Sequence, residues 1–191
     1  MTGEHGKPAS GQAGRPGETG LRRSVGLQRW WRHVRTGPWQ VSRAFDSGAL
    51  KAIQDAIRQS ETRHSAEIRF AVEAVLSTRE LVAGLTSRER AWQVFAEHGI
   101  WDTQHNNGVL IYLLWADRAV EIVVDRGAHQ QVPEGIWTQA CQSIREAVRA
   151  GHGPRGVISA IEQIGEALAQ VYPAQPDDNP DELSDEPLVL R

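Results

Sequence analysis

Polar residues that could bind a hard cation lie in two short segments of the chain. Asp102, Asn106 and Asn107 precede one apolar run, and Asp125 ends the next. Carboxylate and amide oxygens are the ligands that calcium and magnesium prefer. The spacing is looser than in an EF-hand loop, and turn chemistry explains the same residues, since Asx side chains bond to nearby backbone and Asn-Gly adopts left-handed angles. On these residues alone, the turn interpretation is favoured.

Other site chemistries have weaker support in the sequence. His98, His105 and His129 could approach one another around the same loops, but no two have a tight ligand spacing, which favours solvated histidines over a zinc site. Cys141, the only cysteine, lies on the apolar face of a predicted helix and is expected to be a buried structural thiol. No nucleophile with its base is evident, so catalytic residues stay unassigned.

An apolar hairpin should bring the polar segments together. Val109–Trp115 is apolar on both sides, which is typical of a central strand covered on both faces. Ala116–Arg118 is short enough for a turn into a second strand, Ala119–Asp125, and the pair should be antiparallel. The 101–107 loop enters the first strand and residues 125–132 leave the second. Both segments are therefore expected at one end of the sheet.

A further strand is predicted over Ala66–Leu76, where apolar residues alternate with Glu67, Arg69 and Glu73. Period-two alternation predicts one buried face and one wet face, with the charged residues on the wet face. If this strand runs parallel to Val109–Trp115, Glu67 lies at the same sheet end as the polar loops.

Helical periodicity and capping signals complete a single α/β domain at about residues 46–172. Thr86 and Glu89 form a capping-box pattern, and Pro133 can open a helix. Leu188–Leu190 could dock as an edge strand. The predicted helices run from Asp46 to about His64, Thr86 to Gly99, Pro133 to Ala150, and Gly156 to about Tyr172.

The two ends of the chain carry opposite charge. Residues 1–45 contain eight Lys or Arg and two acidic residues, whereas residues 173–191 contain six acidic residues and Arg191. We expect a basic arm at 1–44, disordered over Met1–Gly20, and an acidic tail at 176–191 that is solvated from Asp177 to Glu186. Met1–Gly20 lacks the apolar region of a secretory signal, which predicts a cytoplasmic protein, peripheral at the inner membrane if the arm binds lipid.

The arm has an unusual composition. Leu21–Val41 interleaves five arginines with Trp30, Trp31 and Trp39. Such a mixture could lie on an anionic membrane or stack on single-stranded nucleic acid, whereas sequence-specific nucleic-acid binding is not expected. In the alternative interpretation the tryptophans pack on the domain and the arginines are solvated.

Several blocks of the sequence together resemble the TPM-domain family, in particular short bacterial members without a signal peptide or membrane anchor. The likeness covers about residues 45–175, and Pro173 and Leu188–Leu190 also fit. The blocks are Glu67-Ile-Arg69, Trp101-Asp-Thr103, Asn106-Asn-Gly-Val-Leu-Ile-Tyr112, Asp117-Arg118, Val120-Glu-Ile122, Asp125-Arg-Gly127 and Trp137.

The resemblance implies a three-layer α/β/α sandwich with a small mixed sheet. Some family members are described as acid phosphatases, whereas others bind a divalent metal, usually calcium, without clear catalysis. Bacterial members are often encoded beside LemA-family membrane proteins, which makes such a protein, or another membrane-associated protein, an expected partner. The implied metal positions are Asp102, Thr103, Asn107 and Asp125, with Glu67 in support.

Two functions therefore compete. In the preferred one, the domain binds calcium or magnesium at the sheet-end loops and acts as a partner-binding or envelope-associated accessory module. In the alternative, it is a metal-dependent acid phosphatase acting on phosphomonoesters, in which a cation polarises a phosphoryl oxygen and Arg69 or Arg126 holds the phosphate.

Overall fold

The computed structural model describes residues 26–174 and 182–190. The predicted disorder of residues 1–20, and the predicted solvation of 177–181, fall outside these ranges and stay predictions, as does the division of the chain at residues 44 and 175. The elements are α1 (Leu27–Arg35), α2 (Pro38–Ala44), α3 (Ser47–Glu61), β1 (Ile68–Glu73), α4 (Thr78–Val82), α5 (Ser87–Glu97), β2 (Val109–Leu114), β3 (Ala119–Val124), α6 (Arg126–Gln131), α7 (Glu134–Arg149), α8 (Gly153–Val171) and β4 (Leu188–Leu190).

The four predicted helices are present as α3, α5, α7 and α8, and their capping signals act as expected. The Asp46 carboxylate accepts a hydrogen bond from the Ala49 amide at 2.8 Å, and Thr86 and Glu89 form a reciprocal capping box. Helices α1, α2, α4 and α6 were not predicted. α2, α4 and α6 are seven residues or shorter, which leaves too few turns for a clear period. α1 has nine residues, and its apolar residues do recur at helical spacing.

The sheet is mixed, with the strand order β3-β2-β1-β4. β2 and β3 are antiparallel, as the hairpin pattern predicted. β1 runs parallel to β2 and begins opposite it, Ile68 beside Val109. β4 pairs with β1 in parallel and confirms the predicted edge strand.

Helices cover both faces of the sheet, which confirms the α/β/α sandwich. α3, α7 and α8 bury one face, where Phe70 of β1 and Ile111 of β2 belong to the larger apolar core. α5 covers the other face, where Ala71 and Leu114 form a second core with Phe95 of that helix. β2 is buried along its whole length, as its sequence predicted.

The prediction of a wet face on β1 is wrong. Glu67, Arg69 and Glu73 are only 4%, 8% and 2% exposed. Charged side chains at such depth need partners. Arg90 of α5 donates to the Glu73 carboxylate through Nε at 3.0 Å, and the Tyr112 hydroxyl of β2 also donates to it.

The segment before β4 covers the rest of this charged face. The amides of Glu182 and Leu183 donate to the Glu67 carboxylate at 3.3 and 3.2 Å, and Asp185 is buried with Arg58 Nε bound to its Oδ2 at 3.2 Å. The prediction of a solvated tail is therefore wrong for Asp185, whereas Glu182, Ser184 and Glu186 are exposed as predicted. Exposed Glu182 nevertheless contacts the domain, because its carboxylate accepts from the Gln104 amide at 3.1 Å.

Burial also sets the protonation of this region. Burial raises the pKa of Glu61 to about 10, with Asp185 and Glu67 adding to the shift, so Glu61 carries a proton at neutral pH. Burial lowers the pKa of Arg69, opposed by the charges of Asp185, Glu61, Glu186 and Glu67. A neutral Glu61 reduces the repulsion among the carboxylates that surround Arg69.

Helix α1 docks on the hairpin turn through its polar side. Arg29 Nε lies 2.8 Å from Asp117 Oδ2, and His33 Nε2 lies 3.3 Å from Asp117 Oδ1. His33 Nδ1 accepts a hydrogen bond from the Leu76 amide at 3.1 Å. Burial would raise the pKa of Asp117, but its contacts with His33 and Arg29 outweigh burial and hold that pKa low. The interpretation with packed tryptophans and solvated arginines is wrong for α1, since Trp31 is exposed while Arg29 is paired.

We predict that Ile111→Ala lowers the free energy of unfolding by about 2–5 kcal/mol, because it removes a fully buried side chain from the central strand and leaves a cavity. Val82→Ala is the control, since Val82 is exposed at the end of α4 and its truncation should cost about 0.5 kcal/mol or less. Denaturant melts measure both values. Equal midpoints for the two variants would contradict the placement of β2 at the centre of the core.

Candidate functional site

The polar loops meet at one end of the sheet, as the predicted hairpin required. The Asp125 amide donates to Gly108 O at 2.9 Å, and the Gly127 amide donates to Asn106 O at 2.9 Å. These bonds continue the β2–β3 ladder into the loops. Because β1 starts beside β2, the Glu67 carbonyl also lies here and accepts from the Val109 amide at 2.8 Å.

Asn107 is fully buried at this sheet end and is held by two hydrogen bonds. Its amide donates to Thr103 Oγ1 at 3.0 Å, and its side-chain Nδ2 donates to Ser65 O at 2.8 Å. The second bond fixes which side-chain atom is the oxygen. Among the described residues, Asn107 Oδ1 is buried and has no hydrogen-bond partner.

Asp125 caps α6 with one carboxylate oxygen and leaves the other unpaired. Oδ1 accepts from the Arg126 amide at 2.6 Å. Oδ2 is buried and, within the described part of the chain, has no hydrogen-bond partner. Gly127 allows the close approach of the two loops, since a Cβ there would lie 2.6 Å from Asn106 O. The loop pair therefore holds two buried side-chain oxygens that accept no hydrogen bond from the described residues.

The other predicted metal positions differ in their surroundings. Thr103 is buried, and its hydroxyl accepts from Asn107, which is turn chemistry. Asp102 is exposed on the same loop. The Glu67 carboxylate binds the amides of Glu182 and Leu183. Asn107 and Asp125 are thus the predicted residues that keep buried oxygens available.

The two predicted phosphate-binding arginines occupy different environments. Arg126 is exposed and lines an open cavity of about 440 Å³ together with His105, Asn106, Asp125, Gly127 and Gln130. Arg69 is buried near the carboxylates of Asp185, Glu186 and Glu67 and near the protonated Glu61. The negative charges of the three carboxylates would repel a phosphate at Arg69.

A larger cavity adjoins Asp125 on the side of α5. It has a volume of about 600 Å³ and an apolar lining in which Trp92, Trp101 and Trp137 are prominent. Trp137 Nε1 is buried and, among the described residues, lacks a hydrogen-bond partner. Asp125 and Arg126 line both cavities.

The chain is similar to a known family of domains. A model of the TPM domain matches residues 42–167, which is more than half of the chain. The chain belongs to the TPM-domain family. This confirms the resemblance drawn from the sequence blocks.

Solved structures support the fold of this TPM domain. The NMR structure of the BA42 protein from the psychrophilic bacterium Bizionia argentinensis is 31% identical, covers 75% of this chain and 93% of its own, and has a TM-score of 0.67. The N-terminal domain of a P. gingivalis protein is 13% identical, covers 72% of this chain and 90% of its own, and has a TM-score of 0.53, which is a likeness of fold alone. No curated protein matches the sequence.

Two residues of the TPM domain that sequence reasoning missed help to build the site. Ser65 supplies the carbonyl that orients Asn107. Tyr172 places its hydroxyl near Gly127, where it accepts from Gln131 Nε2 at 2.9 Å. Burial raises the pKa of Tyr172, with the Asp125 charge adding to the shift and the Gln131 bond opposing it. No sequence motif identifies either residue, because each reaches the site only through its position in the folded chain.

The histidines and Cys141 do not form a metal site or an activated nucleophile in the described part of the chain. Across residues 26–174 and 182–190, no three His, Cys, Asp or Glu side chains converge to hold a metal ion. His98, His105 and His129 are all exposed. Cys141 is half-buried on α7, and burial raises the pKa of its thiol, which is the reverse of an activated nucleophile.

A buried serine–histidine pair supports the segment that carries Ser65. Ser60 Oγ and His64 Nε2 are 2.9 Å apart, and His64 Nδ1 lies 2.9 Å from Ala66 O. Because that carbonyl only accepts, Nδ1 carries the proton and Nε2 accepts from the serine hydroxyl. Both side chains are buried, so no substrate can reach this pair, and burial lowers the pKa of His64 to about 4.

We predict that the ring of His64 stays neutral until the pH falls to about 4. The unfolded chain takes up this proton near its ordinary pKa of about 6.5, so the contribution of His64 to stability is present above that pH and is lost toward pH 4. NMR titration of the His64 ring resonances measures this, with exposed His98 as the control. A His64 titration near pH 6.5 would contradict the buried Ser60–His64 pair.

Proposed function

We propose that this TPM domain binds a divalent cation, calcium or magnesium, at the sheet-end loops and acts as an accessory module. The observation that supports this most is the pair of buried oxygens, Asn107 Oδ1 and Asp125 Oδ2, which have no hydrogen-bond partner among the described residues. Unpaired buried acceptors are costly. A hard cation would satisfy both oxygens.

The donor set fits a weak rather than a tight site. Asp125 would supply one negative charge and Asn107 a neutral amide oxygen, with Asp102 available on the exposed part of the loop. Calcium takes six to eight oxygens, so waters or backbone carbonyls would complete the shell. Because few charged ligands are available, we expect a Kd of about 10⁻⁴–10⁻³ M.

The phosphatase alternative has less support from the residues. Arg126 lines the cavity beside Asp125 and could pair with a phosphate. The Ser60–His64 pair, which has the composition of a nucleophile and its base, is buried away from that cavity. Metal-activated water is then the chemistry that this alternative requires.

Two further expectations belong to the accessory role. The proposed partner is a LemA-family protein or another membrane-associated protein, and the proposed location is the cytoplasm, peripheral to the inner membrane. In the described ranges of the chain, no helix combines the length and apolar character needed to cross a bilayer. Any membrane association of this part of the chain would then be at the surface.

Calcium titration tests the cation site. We expect millimolar calcium to shift the backbone NMR signals of residues 103–108 and 125–127 and to raise the melting temperature, because a ligand bound only by the folded state stabilises it. Asp125→Asn keeps the α6 cap but removes the charge, and should weaken binding about tenfold or more. Asp102→Asn is the matched control and should change binding less.

Unchanged spectra and melting curves with both calcium and magnesium would contradict the site. Hydrolysis of an aryl phosphate by the wild-type chain in the presence of either metal, lost in Asp125→Asn, would instead favour the phosphatase. Metal binding without hydrolysis is the result expected for the accessory module.

A further inference from the structure

Helix α1 presents its apolar side to solvent. Leu27, Trp30, Trp31 and Val34 recur at i, i+3, i+4 and i+7, the spacing of one helix face. They are 71%, 37%, 51% and 55% exposed. A surface helix normally buries such a stripe against its domain. In α1 the orientation is reversed, which leaves an aromatic face that the described part of the chain does not cover.

The reversal follows from how the polar side of α1 is held. Asp117 in the β2–β3 turn binds Arg29 and His33, and also Arg32 Nη2 at 3.1 Å. His33 is buried, and its Nδ1 accepts a hydrogen bond from the Leu76 amide. These contacts fix the rotation of the helix, so the apolar stripe is directed outward. α2 adds Trp39, which is 65% exposed and follows Pro38 at the helix start.

The surroundings of this face are basic. Residues 27–44 contain four arginines and no acidic residue. Asp117, the nearby carboxylate, is already paired with three cationic or imidazole side chains. Two open cavities of about 720 and 490 Å³ lie beside Trp115, and the smaller one also lies beside Trp39. Their linings add Arg118 and Arg149 to the arginines of this segment.

Neither the rest of the chain nor a second copy suits this face. Residues 1–25 are rich in Gly, Pro and polar residues and have few large apolar side chains, and residues 175–181 read QPDDNPD. Neither segment has enough apolar surface to cover three tryptophans. Pairing with the same face of a second copy would bring the arginines of both together, and like charges oppose such an interface.

We propose that α1 and α2 form a peripheral docking surface for anionic membranes. Trp and Leu side chains enter the boundary between headgroups and acyl chains, while the flanking arginines bind anionic headgroups. Trp and Arg side chains suit the boundary between headgroups and acyl chains. The indole ring is apolar with one polar edge, and the arginine side chain has an apolar stem below its charged group. This proposal is independent of the cation site.

Vesicle sedimentation with the full chain tests the docking surface. We expect binding to phosphatidylcholine vesicles that contain about 30% phosphatidylglycerol, weaker binding at high salt, and little binding to phosphatidylcholine alone. Trp31→Ala should lower the partition coefficient about tenfold, through loss of inserted aromatic surface. Trp92→Ala is the matched control, because Trp92 is comparably exposed on α5, and it should bind as the wild type does.

Three outcomes would overturn the proposal. Equal losses in Trp31→Ala and Trp92→Ala would show that α1 is not the contact. Equal binding to neutral and anionic vesicles would remove the role of the arginines. Tight binding to a single-stranded oligonucleotide with no vesicle binding would assign the surface to nucleic acid instead. Circular dichroism of both variants checks that each remains folded.

Discussion

The charged side chains of β1 impose the constraint on which the second layer of the sandwich depends. β1 is buried on both faces although Arg69 and Glu73, together with Glu67 just before the strand, lie along one of them. Buried charges without partners would outweigh the stability of a small domain. Arg90 of α5 and the segment before β4 meet this requirement, so the elements that cover this face do so through paired polar groups as well as apolar contact.

The same strand positions the candidate site. Its parallel pairing with β2 places the Ser65–Glu67 segment beside the loop that enters β2, where the Ser65 carbonyl orients Asn107. The antiparallel β2–β3 pair brings Asp125 to the same end. Three separate chain segments therefore define one sheet end, and the oxygens of Asn107 and Asp125 are left buried there without hydrogen bonds from the described residues.

The parts of the fold that depend on local pattern could be predicted from the sequence. Val109–Trp115 is apolar on both sides, and a short turn follows it, so the central hairpin and the meeting of the loop before β2 with the segment after β3 could be inferred. The wet face predicted for β1 was wrong because its carboxylates are paired with groups that lie far away in the sequence. Glu73 pairs with Arg90, and Glu67 binds amides more than a hundred residues away. The outward orientation of the apolar stripe of α1 could not be predicted either. Periodicity identifies which residues share a helix face but not whether that face is directed to the domain or to solvent.

The most direct test of this account is a double-mutant cycle on Glu73 and Arg90. Glu73→Gln keeps the volume and the bond from Tyr112, and Arg90→Met keeps the apolar stem. Arg90→Met should lose about 3–5 kcal/mol of unfolding free energy, because it leaves the buried Glu73 carboxylate without its cationic partner. Glu73→Gln should lose less, because Arg90 keeps its contacts with Glu97 and Glu80. The double variant should lose less than the sum of the two by at least about 1 kcal/mol. Additive losses in denaturant melts would contradict the claim that this pairing holds α5 on the charged face of β1.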